Sequence, residues 1–131
     1  MFNASLYRSV VFIVLSLFLS TIALACPTGD YTVTGWNPGV DVADEPSYTG
    51  TATVVVRGDV CELNWRIGEQ QFGGVGFFDA AAGLLAVGYA DLGAGWFGQA
   101  SYTLRDGKLV GIWTTYGDAA GQIGHERLTP R

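Results

Sequence analysis

Val60-Cys61-Glu62-Leu63-Asn64-Trp65-Arg66-Ile67 decides the fold. Cys61, Leu63, Trp65 and Ile67 fall on one face and Glu62, Asn64 and Arg66 on the other, the period of two that marks a half-buried strand. The stretch is bounded by turn residues. Arg57-Gly58-Asp59-Val60 precedes it, and Arg105-Asp106-Gly107-Lys108 repeats the device downstream with the Asp-Gly pair that a two-residue hairpin favours. Working outward, runs rich in Val, Thr, Trp, Tyr and Phe alternate with Gly/Asp punctuation. They predict eight strands, at 30–36, 48–57, 60–67, 70–78, 84–90, 96–105, 108–116 and 121–128.

A repeat underlies them. Tyr48-Thr49-Gly50, Phe72-Gly73-Gly74 and Trp96-Phe97-Gly98 share an aromatic-x-Gly pattern, each 24 positions from the last, while Leu63, Leu85 and Leu109 mark the intervening strands. A repeated hairpin generates an antiparallel up-and-down meander. Closure into a small barrel would remove both exposed edges; a flattened sandwich is the structural alternative. The fold class is therefore all-β. Trp96, Gly98, Ala100, Tyr102 and Leu104 form a second inner set, and Leu109, Gly111 and Trp113 a third. Recurrent strand glycines, among them Gly50, Gly74, Gly98, Gly111 and Gly124, give room for neighbouring tryptophans in a narrow barrel. An interior filled by side chains is expected, against the sharper alternative of a ligand cavity.

The first residues differ in kind. After Arg8, a nearly unbroken apolar run from Val10 to Ala25 closes on Ala23-Leu24-Ala25, the small-x-small ending of a cleavable secretory signal. The run is shorter than a membrane span requires. The expected organisation is a signal peptide at 1–25 and one β-barrel domain at 26–131, periplasmic or secreted, with no transmembrane span in the mature form. The whole chain carries a formal net charge of −5, and only Arg8 is lost with the signal. An acidic domain excludes nucleic-acid binding through a basic patch, and attraction to anionic membrane by charge. With 15% charged residues and 19 glycines, the composition suits a β domain rather than a disordered segment.

Two cysteines in an exported chain suggest a Cys26–Cys61 disulfide. An up-running first strand places both at the lower rim, as a bond requires. Lipid attachment at Cys26, immediately after the cut, is the alternative, although Ala23 stands where a lipoprotein signal usually has Leu.

No constellation predicts an enzyme, a cofactor or a metal. The lone His125 is followed by Glu126, which must face the other way in a strand, and a second imidazole or spare thiol is lacking. Glu126 shares a face with Gly124 and Leu128. As an inward carboxylate it needs partners, for which Tyr31, Trp65 or an arginine could serve, and a tie closing the barrel seam is the expected role. Asp41, Asp44, Glu45, Asp91 and Asp118 fall on upper-rim loops; their spacing does not match a calcium loop, and they are expected to be solvated. Trp65, Trp113, Tyr102 and Glu126 are the candidate interior or ligand residues. Arg57-Gly58-Asp59, an integrin-type tripeptide on a hairpin tip, and Trp36 are the candidate interaction surface, with Phe97 a further outward aromatic.

The series Gly29-x-Tyr31-x-Val33-x-Gly35, Tyr48-x-Gly50, Trp65-x-Ile67-Gly68, Gly107-x-Leu109-x-Gly111-x-Trp113 and Glu126-x-Leu128-x-Pro130 spans nearly the whole mature chain. It resembles a group of small exported bacterial proteins often labelled fibronectin-binding proteins. The resemblance implies a β-barrel-like module at the cell envelope, similar in outline to avidin and lipocalins, and adhesion to host matrix protein. It carries over no catalytic residue. The expected function is a non-enzymatic envelope protein that binds a protein partner. The alternative is a carrier of a small apolar ligand, which needs an open cavity reached from the rim that bears the Asn37–Ser47 loop.

Overall fold

The computed structural model describes residues 26–118 and 121–131; the expected signal peptide lies outside them. Eight antiparallel strands follow in order: β1 (Gly29–Trp36), β2 (Tyr48–Arg57), β3 (Val60–Ile67), β4 (Gln70–Asp79), β5 (Leu84–Asp91), β6 (Phe97–Arg105), β7 (Lys108–Thr115) and β8 (Gly124–Pro130). Each pairs with the next, and β1 pairs with β8 from Tyr31↔Pro130 to Trp36↔His125, so the meander closes into a barrel without free edges. No helix among the described residues is long and apolar enough to cross a membrane.

The turns follow from their residues. Asp106 (φ 50°) and Gly107 (φ 76°) join the Arg105↔Lys108 pair with both central residues left-handed, which Asp-Gly tolerates best. Gly58 (φ 57°) opens the two-residue loop that joins Arg57 to Val60. The strands agree with expectation in number and order and shift only at their ends. β6 starts at Phe97; Trp96 and Leu104 stand at the two ends of the expected inner set, 38% and 37% exposed, while Ala100 and Tyr102 between them are buried. β8 starts at Gly124 rather than Gly121, because Gly121 (φ 60°) is still in the connecting loop.

The interior divides in two. Its lower half is solid: Val33, Val54, Leu63, Leu85, Val87, Leu109 and Leu128 are at most 1% exposed. Full burial of each such side chain is worth about 1.5–3 kcal/mol, and together they plug the barrel. At the lower rim Cys26 and Cys61 form a disulfide with a Cα–Cα distance of 5.7 Å. The bond uses the thiol that lipid attachment would need. Such a crosslink is consistent with export to an oxidising compartment. Tyr31 donates to the Pro27 carbonyl at 2.7 Å and fastens the chain beside it.

Trp36 corrects an expectation. It stands on the outer face, yet it is only 5% exposed. The long β1–β2 loop folds back over it, the indole N–H donates to the Asp44 carbonyl at 3.0 Å, and the Arg127 guanidinium lies 5.7 Å from the ring centroid. A residue so covered offers no interaction surface. Asp91 was likewise expected to be solvated and is 5% exposed. Its Oδ1 accepts the N–H groups of Gly93 and Ala94, both at 2.7 Å, and so ties the β5–β6 loop.

Candidate functional site

Above the apolar plug the upper half of the barrel holds a cavity of about 250 Å³. Glu126, Tyr102 and Ala100 form its floor, and Tyr48, Trp65, Phe72, Tyr89 and Trp113 its walls. Asn37, Ser47, Gln70 and Trp96 border its mouth at the upper rim. The cavity opens at the rim bearing the Asn37–Ser47 loop, the geometry that the carrier alternative requires, whereas a completely filled interior was expected. Strand alternation aims these residues inward. The loop is closed at its base by Ser47 N–H donating to the Gly35 carbonyl (2.8 Å) and Asn37 N–H to Ser47 Oγ (2.9 Å).

Glu126 is the chemical centre. It is 6% exposed, and no lysine, arginine or histidine is among the described residues that line the cavity. Its carboxylate is held by neutral donors instead. Tyr48 donates to Oε1 at 3.0 Å, Trp65 Nε1–H donates to Oε2 at 3.3 Å, and the Tyr102 hydroxyl makes a short bond to Oε2. Burial pushes the Glu126 carboxyl above its ordinary value, and the three hydrogen bonds pull it part of the way back. Burial, then the adjacent carboxylate charge, raises both Tyr48 and Tyr102 far above the usual phenol. Glu126 therefore ties β8 to β2, β3 and β6 across the lumen, a wider span than the expected seam closure. Of the partners suggested by sequence only Trp65 is used.

Glycines make that reach possible. Tyr48 lies over Gly35, its partner on β1, and Tyr102 lies over Gly111, its partner on β7; a Cβ at either glycine would overlap the ring. Each side chain thereby crosses a neighbouring strand and arrives at β8. Tyr89 crosses Gly98 in the same manner and donates to the Thr114 carbonyl at 2.8 Å, and Trp113 covers Gly124. Tyrosines, rather than the expected tryptophans, occupy most of this room.

The walls form a continuous aromatic surface. Trp65 meets Tyr89 edge-on at 6.3 Å, Tyr89 meets Phe72 at 6.3 Å, and Phe72 meets Trp96 at 5.4 Å between centroids. On the facing side Tyr48 and Trp113 are tilted at 6.4 Å. Trp113 Nε1 is buried near the Tyr48 hydroxyl without completing a hydrogen bond.

The four interior candidates, Trp65, Tyr102, Trp113 and Glu126, thus come together around one cavity. Tyr48, Phe72 and Tyr89 belong to it but were missed as site residues; inward tyrosines opposite strand glycines were the available signal. The surface candidates lie elsewhere. Gly58 and Asp59 tip the lower β2–β3 hairpin, where Arg57 is engaged by Glu62 at 2.6 Å with side chains 72% and 33% exposed. His125 takes the outer face between Trp36 and Ile112. No group of three or more His, Cys, Asp or Glu suited to a metal ion occurs among the described residues.

No known family's sequence profile matches the chain, and no curated protein does. Among solved structures it is similar to apo lipid binding protein 8 of Caenorhabditis elegans, with 12% identity and a TM-score of 0.47, covering 79% of this chain and 94% of that one. It is similar also to the fatty acid transporter REP1-NXSQ, with 11% identity and a TM-score of 0.47, covering 79% and 95%. At that identity and overlap the likeness is one of barrel outline.

Proposed function

We propose that this barrel is a non-enzymatic carrier for a small, largely apolar ligand, acting outside the cytoplasm. The observation that supports the reading is the cavity itself: about 250 Å³, aromatic-walled and open at one rim, with a single buried carboxylate at its floor. Concave apolar sites with a few placed polar groups are the common form of small-ligand sites, and this one is slightly smaller than most of them. The disulfide and the apolar leader support export. Acid–base catalysis of the two-carboxylate kind lacks its second member, because Glu126 is the only carboxylate among the described lining residues.

Tryptophan fluorescence and calorimetry with phenethyl alcohol, a neutral compound of suitable size, test the reading. Saturable one-to-one binding, lost in Ala100→Phe where a ring fills the floor, is the expected outcome. Unchanged affinity in a folded Ala100→Phe variant would place the binding outside the cavity and refute the carrier role.

A protein partner is the second reading, and one observation favours it. Phe97 and Tyr116 stack at 4.9 Å with planes 9° apart while remaining 52% and 75% exposed beside the upper rim. Exposed aromatics of this kind are frequent anchors of protein interfaces. Loss of partner capture in Phe97→Ala/Tyr116→Ala, with ligand binding intact, is the result that this reading requires.

A further inference from the structure

The chemistry of the cavity selects among small ligands by charge. Glu126 Oε2 accepts two hydrogen bonds and Oε1 only one, so the carboxylate retains acceptor capacity on the Tyr48 side. A cationic counterpart is missing from the described lining. An anionic head group would therefore meet a like charge in a desolvated site, which opposes its entry. A positively charged donor would complete the carboxylate in a cavity walled by Phe72, Tyr89 and Trp113, aromatic rings of the kind that attract desolvated cations.

The entrance repeats the same sign. The upper loops carry Asp41, Asp44 and Glu45 between β1 and β2, Glu69 between β3 and β4, and Asp118 between β7 and β8, with no lysine or arginine in any of the upper loops. This excess of loop carboxylates favours the approach of cations, even with Arg127 beside the β1–β2 loop at Trp36 and Arg66 near the top of β3. Volume sets the size: 250 Å³ equals roughly eight water volumes.

We propose that the ligand is a small organic ammonium ion, with an aromatic or aliphatic body of roughly ten non-hydrogen atoms, seated with its charged end on Glu126. This assignment rests on the carrier reading and narrows it. Long-chain carboxylates are excluded by sign and by size.

Three probes with one body and different heads decide it: phenethylammonium, phenethyl alcohol and hydrocinnamate. Each is titrated by calorimetry into the purified protein with its disulfide intact. Phenethylammonium is expected to bind at least about tenfold tighter than the alcohol, the scale of one desolvated charge-assisted contact, and hydrocinnamate weakest. Glu126→Gln is expected to erase the preference for the ammonium over the alcohol. An alcohol as tight as the ammonium, or a hydrocinnamate tighter than both, overturns the cation assignment and leaves a carrier standing. Binding by none of the three removes the carrier reading too, which is a separate outcome. The comparison on the unsubstituted protein decides the matter even where Glu126→Gln fails to fold.

Discussion

Tyr48 and Tyr102 donate to the same carboxylate, that of Glu126, from opposite sides of β8. Tyr48 comes from β2 across β1, and Tyr102 from β6 across β7. Two pairs of strands are thereby stapled through one residue, just above the apolar plug.

The two bonds are unequal, and their removal should show it. Tyr102 is 1% exposed, so Tyr102→Phe leaves Oε2 with the Trp65 donor alone in a site that water reaches poorly. A loss of about 1.5–3 kcal/mol is expected, the range for a buried bond to a charged group. Tyr48 borders the open cavity, from which water can replace its hydroxyl. Tyr48→Phe should cost about 0.5–1.5 kcal/mol. Urea unfolding of both variants checks the order; equal losses would mean that the cavity floor is wetter than the geometry indicates.

A pair of glycine substitutions separates crowding from strand propensity. A Cβ at Gly111 would overlap the Tyr102 ring and crowd the Ser101 carbonyl, whereas a Cβ at Gly88 meets nothing within 4 Å. Gly111→Ala should therefore cost about 1–3 kcal/mol, as overpacking does, and displace Tyr102 from Glu126. Gly88→Ala should be neutral or stabilising by a few tenths of a kcal/mol up to about 1, through the unfolded chain. Thermal melts give the stabilities, and loss of the Tyr102–Glu126 contact is visible in the near-ultraviolet circular dichroism of the tyrosines.

These same positions show where the sequence was readable. Alternation in Cys61–Ile67 and the Asp106-Gly107 turn are local signals, so the strands, their order and the closing of the barrel followed from them. The disulfide followed too, because an up-running β1 puts both cysteines at one rim. The cavity did not. Whether a barrel is filled depends on the directions of several large rings at once, and the glycines that let Tyr48, Tyr89 and Tyr102 lie down are partners by register rather than by sequence neighbourhood. Trp36 failed for a related reason: its parity points outward, and only the fold-back of the 37–47 loop covers it.

The titration of Glu126 carries a defined sign. Its folded value lies above the ordinary 4.5, so between 4.5 and the folded value the native state keeps a proton that the unfolded chain has released. Stability contributed by this group is accordingly lost as pH rises through that window. Gln at the same place cannot release a proton. The stability of Glu126→Gln relative to the unsubstituted protein should therefore increase from about pH 4.5 upward and level off above the folded value. Denaturant midpoints across that range test it, and a relative stability that fell with rising pH would show a carboxyl held ionised by its three donors.

The disulfide and the cavity lie at opposite ends of the barrel, so stability and binding should separate. Cys26 and Cys61 are 35 residues apart in sequence and join at the lower rim, below the plug of Leu63, Leu85 and Leu109. Closing a loop of that length contributes about 3–4 kcal/mol in the chain-entropy description. For a domain near 100 residues, that corresponds to a fall in Tm of roughly 10–25 °C in Cys26→Ala/Cys61→Ala. Neither cysteine lines the cavity, although both belong to the buried core cluster beneath it. Affinity for the ammonium probe, measured well below the lowered Tm, should stay within about twofold of that of the intact protein. A variant that stays folded yet loses the probe would mean that the lower rim holds the cavity in shape, and the barrel would have to be treated as one coupled unit rather than a plug with a cup above it.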